Sequence, residues 1–167
     1  MDGLIYGMIM LLTYRAQKKM PSQRQSECAM ESIAYPVSPP VTNAALNALF
    51  DAAWPDHEAS DFAATLAHSL LYVCAYADTR LIGFVNVAWD GHWHAFLLDT
   101  TVHPDFQRRG IGVQLVQVAA AATKAHGVEW LHVDFEPHLA QFYRQCGFVP
   151  TAAGLLNLTQ STYQPKT

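Results

Sequence analysis

Charge is what this sequence has least of. Of its 167 residues only 14% are Asp, Glu, Lys or Arg, well under the quarter usual in soluble domains, while 51% are apolar or aromatic. Ten Lys and Arg against fourteen Asp and Glu leave a formal charge of −4, with no basic footprint, so no nucleic-acid partner is expected. Cysteine is scarce as well. Cys28, Cys74 and Cys146 are odd in number and widely spread, and none forms a CxxC pair, which excludes a disulfide framework, a zinc ribbon or a redox dithiol. They read as reduced thiols of a cytoplasmic protein. The N-terminal apolar run, GLIYGMIMLL, has too few residues to span a bilayer. Arg15, Lys18 and Lys19 follow it and Asp2 precedes it, the reverse of a secretory signal. No membrane span is expected, and the low charge leaves surface free for a ligand cleft or a homodimer contact.

What is there suits one domain with a real core. Residues 17–32 are polar and patternless, and Met20 and Met30 are alternative starts, so residues 1–29 read as an extension and 30–167 as the working domain. Beyond Ile33 the punctuation becomes regular. SIAYPVS is a short strand, and Thr42 caps NAALNALFDAAW, whose Ala45, Leu46, Leu49, Phe50 and Ala53 share one helical stripe. Ser60 or Asp61 caps a second helix, FAATLAHSL. LYVCAYA, LIGFVNVAW and HAFLLDTTV form an antiparallel meander with turns at Asp78 and Thr79 and at Asp90 and Gly91. A helix from about Gly110 to His126 turns Ile111, Leu115, Val118, Ala119 and Ala122 inward and stops at Gly127. EWLHVDF is a strand, PHLAQFYRQC a helix from Pro137 to Gly147, and FVPTAAGLLNL a final strand or hairpin. The class is mixed α/β.

The junction VHPDFQRRGIG carries the chemistry. A strand ending at Val102 and a helix beginning near Gly110 leave backbone N–H groups converging on one point, and such groups bind anions. Gly110 and Gly112 have no Cβ to hold a phosphate away, and Arg108 and Arg109 add positive charge. The nucleotide P-loop is excluded, because no Lys-Ser or Lys-Thr follows either glycine. The dinucleotide fingerprint fails at its third glycine, where Leu115 stands. What remains is Q-x-x-G-x-G at Gln107, Gly110 and Gly112.

With its flanks, LLDTTVHPDFQRRGIGVQLVQVAAAATKAHG resembles the acetyl-CoA-binding core of the GNAT superfamily of N-acetyltransferases, and FYRQCGF resembles the superfamily's next signature. The two occur in the right order about one strand apart, and the similarity runs from about Ile33 to Leu158. The resemblance implies a twisted mixed sheet of about six or seven strands flanked by about four helices. It implies that the sheet splays open between the strand ending at Val102 and the strand around Val133, with pantetheine in the opening. Thr101, Val102, Gln107, Arg108, Arg109, Gly110, Ile111, Gly112 and Val113 would then hold acetyl-CoA as co-substrate. No metal is implied.

Acetyl transfer to an amine needs a base for the amine, donors for the oxyanion and an acid for the leaving thiolate. By resemblance the oxyanion donor is the Val102 N–H and the acid is Tyr143. Asp99 and Glu136 are the candidates for the base, with His138 beside Glu136. Relatives carry Asn and Ala where this chain has Glu136 and Leu139, which implies a different acceptor side. The expected activity is transfer of acetyl from acetyl-CoA to a primary amine of a small molecule, amino acid or peptide by direct attack in a ternary complex. The alternative is a non-catalytic acyl-CoA-binding module on the same fold, while Cys146 leaves room for a ping-pong route.

Plainer readings stand beside these. Leu139, Phe142, Tyr143 and Cys146 fall at helical spacing, so Tyr143 alone would read as core. His92 and His94 share a strand face but no third ligand follows at suitable spacing. Trp54, Phe62 and Trp93 suit either an acceptor pocket or burial.

Overall fold

The computed structural model describes residues 32–158. The expected extension, Cys28 and both alternative starts lie outside them. Five strands form one sheet in the order β1-β2-β3-β4-β5: β1 Ile33–Ala34, β2 Ser69–Ala77, β3 Arg80–Trp89, β4 His94–Val102 and β5 Trp130–His132. Neighbours from β1 to β4 are antiparallel, and β4 and β5 are parallel. The helices are α1 Asn43–Ala53, α2 Phe62–Ala67, α3 Ile111–Ala125 and α4 Ala140–Gln145.

Alternation along the central strands builds two cores. Leu71, Val73 and Ala75 of β2 and Ile82, Val85 and Val87 of β3 face α3, where they meet Ile111, Leu115, Val116 and Ala119. Cys74 and Phe84 face the opposite side and pack under Leu46, Leu49 and Phe50 of α1 and Phe62 of α2. A sheet covered on both faces needs strands apolar on both faces, and LIGFVNVAW is such a strand. Gly83 lets α3 lie close, since a Cβ there would stand 2.8 Å from Leu115 Cδ1.

Several expectations need correction. Five strands are described where six or seven were expected, because FVPTAAGLLNL forms neither strand nor hairpin. Pro150 removes a ladder donor, and Val149, Leu155, Leu156 and Leu158 are left exposed. Pro36 cuts SIAYPVS to two paired residues, and Val37 resumes with a single bridge to Val73. The second helix ends at Ala67, and Ser69 and Leu70 open β2 instead. The expected PHLAQFYRQC helix begins as a 3-10 turn, Pro137–Leu139, before α4. On α3, Val116 and Thr123 are fully buried while Val118 and Ala122 are only half-buried.

Among the described residues no helix is long and apolar enough to cross a membrane.

Candidate active site at the parting of β4 and β5

The parallel ladder between β4 and β5 is three residue pairs long: His94 with Trp130, Ala95 with Leu131, and Phe96 with His132. Beyond Phe96 the two chains part, while β4 continues to Val102 on the β3 side alone. The opening therefore lies where the resemblance implied it.

Within that free stretch β4 is bulged. Phe84 pairs with Thr101 and Asn86 with Leu98, so Asp99 and Thr100 together oppose the single Val85. Asp99 takes the strain with φ of 56°, a conformation that aspartate tolerates better than most residues. Several bonds hold it there. Thr101 Oγ1 donates to the Asp99 carbonyl at 3.0 Å and accepts from Trp54 Nε1 at 3.1 Å. The Asn86 side chain lies beside the Asp99 carboxyl and favours its charged form. Asp99 is open to solvent on one side, yet the protein packed around its carboxyl excludes water and lifts its pKa above the ordinary carboxylate value, partly offset by Asn86.

Asp99 borders a cavity of about 490 Å³ whose other walls are Phe50, Trp54 and the α1–α2 loop carrying Asp56, His57 and Glu58. That wall is fixed by one amide. Asn47 Oδ1 accepts from the Ser60 N–H at 2.8 Å and pairs with His57 Nε2 at 2.9 Å, while its Nδ2 donates to the Asn43 and Ser60 carbonyls. Of the aromatics weighed for an acceptor pocket, Trp54 lines this cavity and Phe62 is buried beneath it. Trp93 is exposed and stacks on His92.

At the end of β4 the His103 N–H bonds to the Ile82 carbonyl at 2.8 Å, so Gly83 and Val102 form a non-hydrogen-bonded pair. Val102 thus directs its own N–H and C=O away from β3. Gln107 Nε2 takes that carbonyl at 3.1 Å, which leaves the N–H on the open side. The side chain of Gln107 is therefore a brace, and so is that of Arg109, which donates to the Asp105 carbonyl at 2.7 Å and lies 5.0 Å from the Phe106 ring centre. Arg108, at φ of 59°, is exposed and carries no such bond.

Gly110 caps α3 in the left-handed region at φ of 81°, with no side-chain cap bond. The first intrahelical bond runs from the Gln114 N–H to the Gly110 carbonyl, so the N–H groups from Gly110 to Val113 have no helical acceptor. A Cβ built on Gly110 meets nothing within 4 Å. Open space above four unpaired N–H groups fits a phosphate-bearing cofactor such as CoA. Ile111 supplies only backbone here, because its side chain is buried in the core. Gly112 answers a different need, since its Cβ would stand 3.1 Å from Phe142 of α4.

Tyr143 lies on the far side of the parting, 6% exposed and boxed by Phe135, Phe142 and Phe148. Burial raises its pKa, the charges of Cys146 and Asp134 add to the rise, and Thr100 of the bulge works against it. The Thr100 hydroxyl is close enough to act on the phenol but outside hydrogen-bonding geometry, and Thr100 Oγ1 is buried without a partner. A second cavity, of about 740 Å³, opens beside Tyr143 between residues 133–135 and the irregular segment 148–155.

Glu136 is exposed and borders neither cavity; its backbone carbonyl accepts the Leu139 N–H. His92 precedes β4 instead of sharing a strand face with His94. Cys146 is half-buried with a raised pKa, and Cys74, buried, is pushed up to about 11, so burial disfavours the thiolate of each. Three groups at the site escaped the sequence reading: Asn47, Asn86 and Thr100. Only Asn86 left a signal, as the one amide inside the apolar run of β3.

Residues 41–148 match the Acetyltransferase (GNAT) family. The chain is 29% identical to the ycf52 N-acetyltransferase of Porphyra purpurea over 47% of its own length and 45% of the relative. It is 28% identical to GCN5-related N-acetyltransferase 1, chloroplastic, of Arabidopsis thaliana over 66% and 57%. The chain thus spans about half the length of these relatives. Among solved structures, a GNAT family acetyltransferase of Streptococcus pneumoniae superposes with a TM-score of 0.62 at 24% identity, covering 76% of this chain and 99% of that one. Aminoglycoside N-acetyltransferase AAC(6')-Iy in complex with CoA superposes with a TM-score of 0.63 at 20% identity, over 78% and 96%. From the parted sheet, the uncapped helix and the match over residues 41–148, this chain belongs to the GNAT family of acetyltransferases.

Proposed function

We propose that the protein transfers an acetyl group from acetyl-CoA to a primary amine by direct attack. The observation that carries this reading is the parting of β4 from β5 after three residue pairs, with the unpaired N–H groups of α3 at its head. Those N–H groups, with Arg108, hold the pyrophosphate. The thioester lies between the bulge and Tyr143. Acetyl-CoA supplies the acetyl group and leaves as the thiol.

The amine enters from the cavity that Asp99 borders. Its walls bring Asp56, Glu58 and Asp99 and no Lys or Arg, a field that draws an alkylammonium ion. An ammonium has no lone pair, so attack requires loss of a proton, which Asp99 accepts. Its lifted pKa brings the carboxylate closer to the basicity this task needs. The Val102 N–H, free of the ladder, bonds to the carbonyl oxygen as negative charge develops there. Tyr143 then gives its phenolic proton to the departing sulfur. Phenol and thiol have reference pKa values of about 10 and about 8.5, so the phenol is protonated at neutral pH and burial keeps it so. Glu136 remains the other base of the proposal.

Acetyl-CoA with a panel of primary amines, followed by thiol release, tests the reading. Turnover with at least one cationic amine is expected. CoA binding without turnover across the panel would leave a binding module, and no CoA binding would sink both.

A further inference from the structure

We propose that His94 and His132 form a two-histidine site for a divalent metal of tetragonal preference, Cu(II) or Ni(II), clamping β4 to β5. His94 Nδ1 and His132 Nε2 stand 2.8 Å apart across the parallel ladder. Neighbouring register pairs, His94 with Trp130 and Phe96 with His132, put both imidazoles on one face of the sheet. The Phe96 ring stacks on His132 at 5.0 Å and the turn before β4 is tied by the Asp90 carboxylate, which accepts the His92 and His94 N–H groups at 2.7 and 3.1 Å. Two preset imidazoles with a carboxylate nearby favour a cation.

The separation selects the metal. Two imidazole nitrogens at about 2.0–2.1 Å from one ion lie roughly 2.9 Å apart when they subtend a right angle and roughly 3.3 Å apart in a tetrahedron. The 2.8 Å of the free protein is set by its N–H···N bond, and closing a right angle on one ion asks for a shift of only about 0.1 Å, against about 0.5 Å for a tetrahedron. In the free protein one ring must donate an N–H to the other; a metal takes the place of that proton, the donor ring is reprotonated through solvent on its other nitrogen so that both ligands stay neutral imidazoles, and the nitrogens tilt toward the ion. Among the described residues no three His, Cys, Asp or Glu groups converge, so water completes the shell. The clamp falls on the only three paired residues of β4 and β5, next to where they part. Metal that binds the folded chain alone raises its melting temperature.

Titration of the full-length protein with CuSO₄ and with NiCl₂, followed by tryptophan fluorescence, reads the site through Trp130, the ladder partner of His94. Saturable quenching reversed by a chelator is expected, tighter for copper, as the divalent affinity order requires. His94→Gln and His132→Gln should each raise Kd at least about tenfold, and the double substitution should do little more, because one ligand of a chelate is a poor site. Wild-type affinity in either variant overturns the proposal. Pulsed electron paramagnetic resonance of the wild-type copper complex needs no variant: two coordinated imidazoles are expected, and one or none overturns it.

Discussion

Trp54 at the end of α1 and Thr101 in β4, 47 residues apart, share a 3.1 Å hydrogen bond from the indole N–H to the threonine hydroxyl. Thr101 passes the constraint on, since its hydroxyl hydrogen goes to the Asp99 carbonyl. The α1–α2 loop, the bulge and the proposed base therefore form one connected unit. Trp54→Phe keeps the ring and deletes the donor. Acetyl transfer should fall about fivefold, with CoA affinity unchanged by calorimetry, as expected when one hydrogen bond of about 1 kcal/mol that positions a reacting group is lost.

Asp99→Asn separates base from bulge, because asparagine also tolerates a positive φ. Turnover should drop by roughly 10²–10⁴-fold, the range of a positioned proton acceptor, and the low-pH limb of kcat/KM should disappear. Stability should move the other way. A carboxyl whose folded pKa is raised favours folding while protonated, and that contribution is lost as pH rises through the folded value. The variant should therefore melt above the wild type at pH 7, with the gap closing toward the ordinary carboxylate value near about 4. A gap that stays constant across the pH range would show that Asp99 is not shifted.

Tyr143→Phe retains the stacking with Phe135 and the edge contacts with Phe142 and Phe148 while removing the hydroxyl beside Thr100. A fall of about 10²–10⁴-fold in kcat with CoA affinity little changed identifies the acid. Near-normal turnover at saturating acceptor would make Tyr143 a packing residue.

Gly110→Asn tests the phosphate loop more cleanly than a β-branched residue does. The φ of 81° would strain valine by itself, whereas asparagine accepts it and adds a side chain in the open space at Gly110, at the head of the unpaired N–H groups. Circular dichroism should be unchanged and CoA binding by calorimetry lost. Retained affinity in the folded variant would move the pyrophosphate elsewhere.

A chain beginning at Met30 should fold and bind CoA, since every described strand and helix lies between Ile33 and Gln145. Insoluble or CoA-inert protein from that truncation would assign the first 29 residues to the working domain.

The helix stripes, the meander and the glycine-marked junction were legible because each is written in local spacing. Leu46, Leu49 and Phe50 face inward as period 3.6 requires, and Asp78 and Gly91 turn the chain with positive φ where the turns were expected. The C-terminal segment misled because FVPTAAGLLNL has the apolar content of a strand but no described partner edge. Local pattern proposes a strand, and only a neighbouring chain supplies its hydrogen bonds.

By itself the sequence determined where the meander and the two longer helices would lie, and that unpaired N–H groups would converge where a helix begins near Gly110, because capping and turn chemistry act within a few residues. Tertiary structure alone decided that Asp99 would sit in a bulge held by Trp54 and Thr101 with Asn86 beside its carboxyl, that Thr100 would face Tyr143, and that His94 would meet His132. Each of these joins residues far apart in the chain, and their distances and lost hydration exist only once the sheet has formed and parted.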